Sequence, residues 1–204
     1  MRTVLLIRHG ALAGDAARRF IGQTDLPMSE AGEAQIQALA AELAGRVKLD
    51  AIYCSDLNRS RRTAELLANT RTTPVYVSAA LREINLGEWE GLYRRDVAQS
   101  QPDAYRRRGE DIVNFRPPGA ENFAAVASRV LPFWRSLTDG AGAKEEREMI
   151  AVAAHAGVNR VILCDVLGMP LDNLFRLSQR PGCLNVIECG REGPTVRLLD
   201  ATSM

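Results

Sequence analysis

Two rhythms of apolar residues run along this chain. The first is short and unbroken. Residues 3–7 are mostly apolar and run straight into Arg8, His9 and Gly10, which predicts a strand buried on both faces. Residues 51–55 (AIYCS), 74–77 (PVYV) and the run from 148 into His155 predict three more strands. Residues 184–190 and 194–200 predict a further pair, joined by a glycine-containing turn as in a hairpin. The second rhythm is helical. Ile36, Leu39, Ala40 and Leu43 recur at helical spacing, with Ser29 placed as N-cap and Gly45 as a C-terminal glycine cap. Residues 56–69 predict a helix capped by Ser55 or Asp56. Phe123, Val126, Ala127, Val130 and Trp134 mark another over residues 121–137, which Pro132 should kink or restart. Residues 158–168 predict a last helix, closed by Gly168 and Pro170. Residues 140–144 read as a loop. The stretch at about residues 82–118 is polar, irregular and rich in arginine. It reads as an excursion with short helices, packed on the end of a sheet.

Strands and helices alternate without an internal repeat or a linker-like run. That pattern predicts an α/β fold over residues 1–204 as one domain: a three-layer α/β/α sandwich with a mainly parallel central sheet. Composition adds mostly exclusions. The 204 residues are 46% hydrophobic and 25% charged, ordinary for a soluble globular protein. A formal net charge of +1 leaves no footprint for nucleic acid or membrane. Met-Arg-Thr followed by four apolar residues is too short for a signal-peptide core, so the expectation is a cytoplasmic chain. The four cysteines form no C-x-x-C pair, and read as reduced, mostly buried thiols with no metal site.

In sheets of this type, ligands bind outside the carboxyl ends of the strands. The chain has only two histidines, and each follows an apolar strand: His9 after VLLI, His155 after IAVAA. Small residues follow both. A histidine at a strand end is commonly a hydrogen-bonded structural group. Two in matching positions, one beside Arg8, point instead to a shared pocket. Guanidinium groups suit phosphate or carboxylate. Arg59 falls in the first turn of its helix, where free N–H groups also favour an anion, and shares a face with Thr63 and Leu66. Arg62 lies close to that face; Arg61 points elsewhere.

Taken together, LIRHG, SDLNRSRRTAE, LREINLGEWEG and AHAGVNR, with RFIGQTDLPMSEAGEAQ after the first, resemble the histidine phosphatase superfamily, the phosphoglycerate mutase-like fold. LREINLGEWEGL, PPGAENFAAVASRV and RPGCLNVIE are similar to its small α-ribazole phosphatases, a step of cobalamin assembly. The resemblance implies phosphomonoester hydrolysis through a phosphohistidine, with no metal or cofactor. The substrate would be a small phosphorylated metabolite, with α-ribazole 5′-phosphate a candidate, and a homodimer is allowed. It implies His9 as nucleophile, with its other ring nitrogen donating to the Gly10 carbonyl. Arg8, Arg59 and His155 would hold the phosphoryl oxygens, the Ala156 N–H would add a donor, and Glu83 would be the general acid. Asp15, Ile21 and Gly22 would meet the substrate.

Some residues depart from the family pattern. Ala11-Leu12 replaces the usual polar pair, Asp15 stands where Asn is usual, and Ile21 stands where the mutases commonly carry Thr. A carboxylate repels phosphate, so Asp15 is also a candidate to pair with Arg18 or Arg19. Glu88 and Glu90 read as a solvated turn, and Arg94-Arg95 and Arg106 to Arg108 as a solvated basic face. Trp89 and Tyr93 are open between core and pocket. Two other functions stay in view: a cofactor-dependent phosphoglycerate mutase, and a phosphate-binding module without turnover.

Overall fold

A computed structural model describes residues 1–68, 73–139 and 148–204. The expected loop at residues 140–144 and the helix end at Asn69 lie outside the described residues. Among those described, six strands form one sheet: β1 (Arg2–Arg8), β2 (Ala51–Cys54), β3 (Val75–Val77), β4 (Glu148–Ala154), β5 (Leu184–Gly190) and β6 (Gly193–Ala201). Their spatial order is β3-β2-β4-β1-β5-β6. The pairs β1–β4, β2–β4 and β2–β3 are parallel, whereas β5 runs antiparallel to β1 and β6 to β5.

Helices α1 (Glu30–Ala44) and α2 (Asn58–Ala68) cover one face; α5 (Phe123–Thr138) and α6 (Ala156–Leu167) cover the other. The pleat sorts the strand residues between them. Leu5, Ile7, Ala151 and Ala153 pack with Ile36, Leu39, Leu43 and Leu67. Val4, Leu6, Ile150 and Val152 pack with Val126, Val130, Trp134 and Ile162. Period-two alternation is invisible in the sequence of β1 because both faces are buried. This is the expected three-layer α/β/α sandwich of the phosphoglycerate mutase-like type. Among the described residues, no helix is long and apolar enough to cross a membrane.

Helix ends depart from expectation where tertiary partners intervene. Ser29 caps α1 as expected, accepting from the Gly32 N–H. Gly45 is its C-cap but keeps right-handed helical angles, while Gly168 takes the left-handed conformation at the end of α6. Neither Ser55 nor Asp56 caps α2. The Asn58 N–H donates to Asp25 at 2.8 Å, a carboxylate from a distant loop, and Asp56 instead pairs with Arg82. Pro132 neither breaks nor restarts α5, which is continuous over 16 residues. The buried stripe of Val126, Val130, Trp134 and Leu137 holds the helix through it. α6 starts at Ala156, directly after His155, with no intervening turn. The excursion contains α3 (Arg94–Ser100) and α4 (Pro102–Glu110). It is anchored by Trp89, which is fully buried against Phe20 and Phe115 and is therefore core.

Candidate active site

The register of the sheet sets the geometry of the site. Arg8 pairs with Ala154 across β1 and β4, so His9 and His155 are the first residues beyond two adjacent parallel strands. Neighbouring strands lie about 4.8 Å apart; the two imidazoles sit 5.2 Å apart, centroid to centroid. Ser55 follows β2, the next strand over, and its hydroxyl meets His155 Nε2 at 2.8 Å.

His9 is nearly buried. Its Nδ1 donates to the Gly10 carbonyl at 2.7 Å, which puts the proton on Nδ1 and leaves the Nε2 lone pair free. Burial, then Arg8 and Arg59, hold its pKa well below the ordinary histidine value. His155 is fully buried and shifted the same way, by burial first and Arg59 second. Both its ring nitrogens are engaged, because Nδ1 also accepts from Arg59 Nε at 3.3 Å.

Arg59, the second largest of the fully buried side chains, donates to the Thr24 carbonyl at 2.8 Å and the Gly22 carbonyl at 2.5 Å. With the bond to His155, that engages three of its five N–H donors. Arg8 donates through Nη1 to the Gln179 carbonyl at 2.5 Å, and its buried Nε has no partner among the described residues. Glu83 is buried beside them. Its carboxylate accepts from the Ile84 and Gly157 N–H groups, both at 3.0 Å. A Cβ on Gly157 would lie 2.3 Å from Glu83 Oε1, so the second position of α6 admits only glycine while that carboxylate is in place. Arg8, His9, Arg59, Ile21 and Glu83 line one cavity of about 180 Å³. Arg19 and Arg94 line it as well, so four arginines, an imidazole with a free lone pair, and a carboxyl group converge on one small space.

A model of the histidine phosphatase superfamily (branch 1) matches residues 4–202. The chain belongs to the histidine phosphatase superfamily. This phosphatase is 29% identical over 199 residues to the adenosylcobalamin/alpha-ribazole phosphatase of Escherichia coli K12, covering 98% of this chain and 96% of that protein. It is 35% identical over 177 residues to the glucosyl-3-phosphoglycerate phosphatase of Mycolicibacterium vanbaalenii, covering 85% and 77%. The crystal structure of the alpha-ribazole phosphatase from Shigella flexneri superposes with a TM-score of 0.88 at 27% identity, covering 99% and 98%. The chain is accordingly a phosphoric monoester hydrolase.

Not every residue singled out in the sequence reaches the phosphatase pocket. Asp15 turns outward. It pairs with Arg19 at 2.7 Å and accepts from the Tyr93 hydroxyl, and these bonds lower its pKa to about 2. Tyr93 lies with it, under the Arg19 guanidinium; neither Asp15 nor Tyr93 lines the cavity, whereas Arg19 does. Gly22 contributes backbone only. Ala156 lines the neighbouring cavity as the first residue of α6, and its N–H has no partner among the described residues.

Other residues that support the site gave no clear signal in the sequence. Glu90 is no solvated turn. Its half-buried carboxylate accepts from the N–H groups of Gly22, Gln23, Thr24 and Leu86 at 2.7 to 3.1 Å, and from the Thr24 hydroxyl at 2.6 Å. These bonds outweigh the opposing effect of burial and lower its pKa. The loop it gathers is the one whose carbonyls hold Arg59. Gly22 permits the close approach: a Cβ there would lie 2.1 Å from the Ile84 carbonyl oxygen and 2.4 Å from Glu90. Behind Arg8, the buried amides of Asn159, Gln179 and Asn185 bond one another at 2.8 to 3.0 Å. They fix the backbone carbonyl that orients Arg8.

Proposed function

We propose that this phosphatase hydrolyses a small phosphorylated metabolite through a phosphohistidine on His9. The observation that carries the reading is the His9–Gly10 hydrogen bond, which fixes the nucleophilic tautomer while burial, then Arg8 and Arg59, keep the ring neutral. The phosphoryl group sits between the free donors of Arg8, Arg59 and the Ala156 N–H, at the N-terminus of α6. His9 Nε2 attacks phosphorus in line as the bond to the leaving oxygen breaks. Glu83, as the general acid, gives a proton to that oxygen. Water then attacks the phosphohistidine, Glu83 takes the water's proton, and the P–N bond pair returns to Nε2.

His155 has a more conditional part. To donate to a phosphoryl oxygen through Nδ1, the ring must release Arg59 Nε and carry a proton there, with Nε2 either protonated as well or accepting from the Ser55 hydroxyl. A phosphate dianion beside the ring favours both. Ser55 thereby acts as a positioning residue for His155.

The full-length relatives support α-ribazole 5′-phosphate as the first substrate to try, and the more identical but shorter match supports a carboxylated one. Four buried free thiols support work in the reducing cytoplasm. The test is phosphate release from 4-nitrophenyl phosphate and a panel of phosphorylated metabolites that includes α-ribazole 5′-phosphate. Release from at least one member supports the reading. Phosphate binding with no release from any member would make the chain a binding module.

A further inference from the structure

The cavity next to the phosphate end carries more positive charge than one phosphoryl group requires. It holds about 360 Å³, within the roughly 300–1,000 Å³ of small-molecule sites. It joins the phosphate end through Arg8, Ile21, Glu83 and Arg94, which line both spaces. Arg94 of α3, Arg108 of α4 and Arg160 of α6 converge on it, and Glu83 is the one carboxylate in its lining among the described residues.

None of these three arginines pairs with a carboxylate among the described residues, and the side chains of Arg94 and Arg108 make no hydrogen bond there. Arg160 gives Nε to the Leu177 carbonyl at 2.9 Å, and its terminal nitrogens make no bond among the described residues. Their neighbours behave differently. Arg95 pairs with Asp96, and Arg106 with Asp103 and Glu110. The arginine-rich run therefore divides. Arg95 and Arg106 are neutralised on the expected solvated face and Arg107 lies exposed over the Phe115 ring, while Arg94 and Arg108 line the cavity without an ion pair among the described residues.

Aromatic rings hold the free guanidinium groups. Arg108 lies 5.3 Å from the Phe20 ring and 5.9 Å from Phe175, Arg160 lies 5.2 Å from Phe175, and Arg94 lies 5.8 Å from Phe20. Stacking of this kind orients a guanidinium and leaves its charge and its fork of donors in place. Burial and the nearby Arg94 lower the pKa of Arg108, the direction expected of cations crowded together without an anion. In a chain of net charge +1, such a cluster is local design rather than overall basicity.

We propose that this cavity binds a second anionic group on the leaving alcohol, so that the preferred substrates are phosphomonoesters of acidic alcohols. The proposal rests on the phosphatase reading for what occupies the adjoining end. It ranks carboxylated phosphomonoesters ahead of phosphorylated nucleosides whose alcohol is neutral, α-ribazole 5′-phosphate included.

Two ligands test it: 3-phosphoglycerate and glycerol 3-phosphate, which differ by a carboxylate against a hydroxymethyl group. Calorimetry on the His9→Ala protein measures binding without turnover. The expected result is at least about tenfold tighter binding of 3-phosphoglycerate. In His9→Ala carrying Arg94→Gln and Arg108→Gln, the preference should fall below about threefold. Equal binding of the two ligands by His9→Ala overturns the proposal, as does an equal loss for both ligands in the triple variant. Turnover by the unaltered enzyme is read separately. Hydrolysis of both ligands at equal kcat/KM upholds the phosphatase and overturns the anion subsite. Selective binding without hydrolysis upholds the subsite and contradicts the phosphatase.

Discussion

His9 and His155 are buried as neutral rings beside arginines, and this has a consequence for stability. Their folded-state pKa values lie well below the unfolded value near 6.5. Above that value both states are unprotonated, and the two rings add no pH dependence. As pH falls below about 6.5, the unfolded chain takes up protons that the folded chain refuses, so stability falls. Thermal unfolding between pH 7.5 and 5 should show that decline, and the His9→Asn/His155→Asn variant should show less of it. An identical slope in both proteins would remove the histidines from the account. Glu83→Gln should slow hydrolysis most for esters with poor leaving groups, since these need the proton; a uniform loss across leaving groups would count against the acid role. At this scale, the sequence reveals what sits at a strand end or on a motif: Arg8, His9, Arg59, Glu83 and His155 all do. Glu90, Ser55 and Gln179 act through partners 67 to 171 residues away or through backbone groups, which no local pattern records. Asp15 was legible as a carboxylate at odds with a phosphate, and its pairing with Arg19 resolves the conflict.

Elements were read well where periodicity governs and less well where tertiary contacts decide their ends. α2 illustrates this: its N-terminus is closed by Asp25, 33 residues upstream of Asn58, while the residues expected to cap it serve His155 and Arg82. α5 illustrates it again. Proline within a helix costs about 3 kcal/mol against alanine, and packing on the sheet overrides that cost. Pro132 itself is exposed, so Pro132→Ala should stabilise the chain by about 2 kcal/mol after the lost rigidity of the unfolded state is deducted. Chemical denaturation measures this, and a destabilised variant would mean that the helix is shaped around the proline. The segment at residues 22–24 is the other informative element. Glu90 holds its N–H groups while Arg59 holds its carbonyls. Glu90→Gln should therefore displace Arg59 and lower kcat/KM about 10- to 100-fold in a chain that still folds, because small misplacements of catalytic groups carry costs of that order. Unchanged kinetics in the folded variant would separate this clamp from catalysis.

Across the whole molecule, the sheet does the aligning. Two parallel strands in register bring the only two histidines of the chain side by side, and a third strand supplies Ser55 behind them. The excursion of α3 and α4 closes the far side and adds the arginines and aromatic rings that shape the leaving-group cavity. The alternation of strands and helices made the layers legible. Which arginines of the run line the cavity, Arg94 and Arg108, and which pair with carboxylates outside it, Arg95 and Arg106, was not legible, because it depends on which way two short helices turn. His9 is the proposed carrier of the phosphoryl group. Brief reaction with a turned-over phosphomonoester, quenching in alkali and peptide mass spectrometry tests it most directly. The expected result is an acid-labile, alkali-stable phosphoryl group on the peptide containing His9, absent from His9→Ala along with turnover. A phosphoenzyme that persists in His9→Ala, or one mapped to another residue, would contradict it.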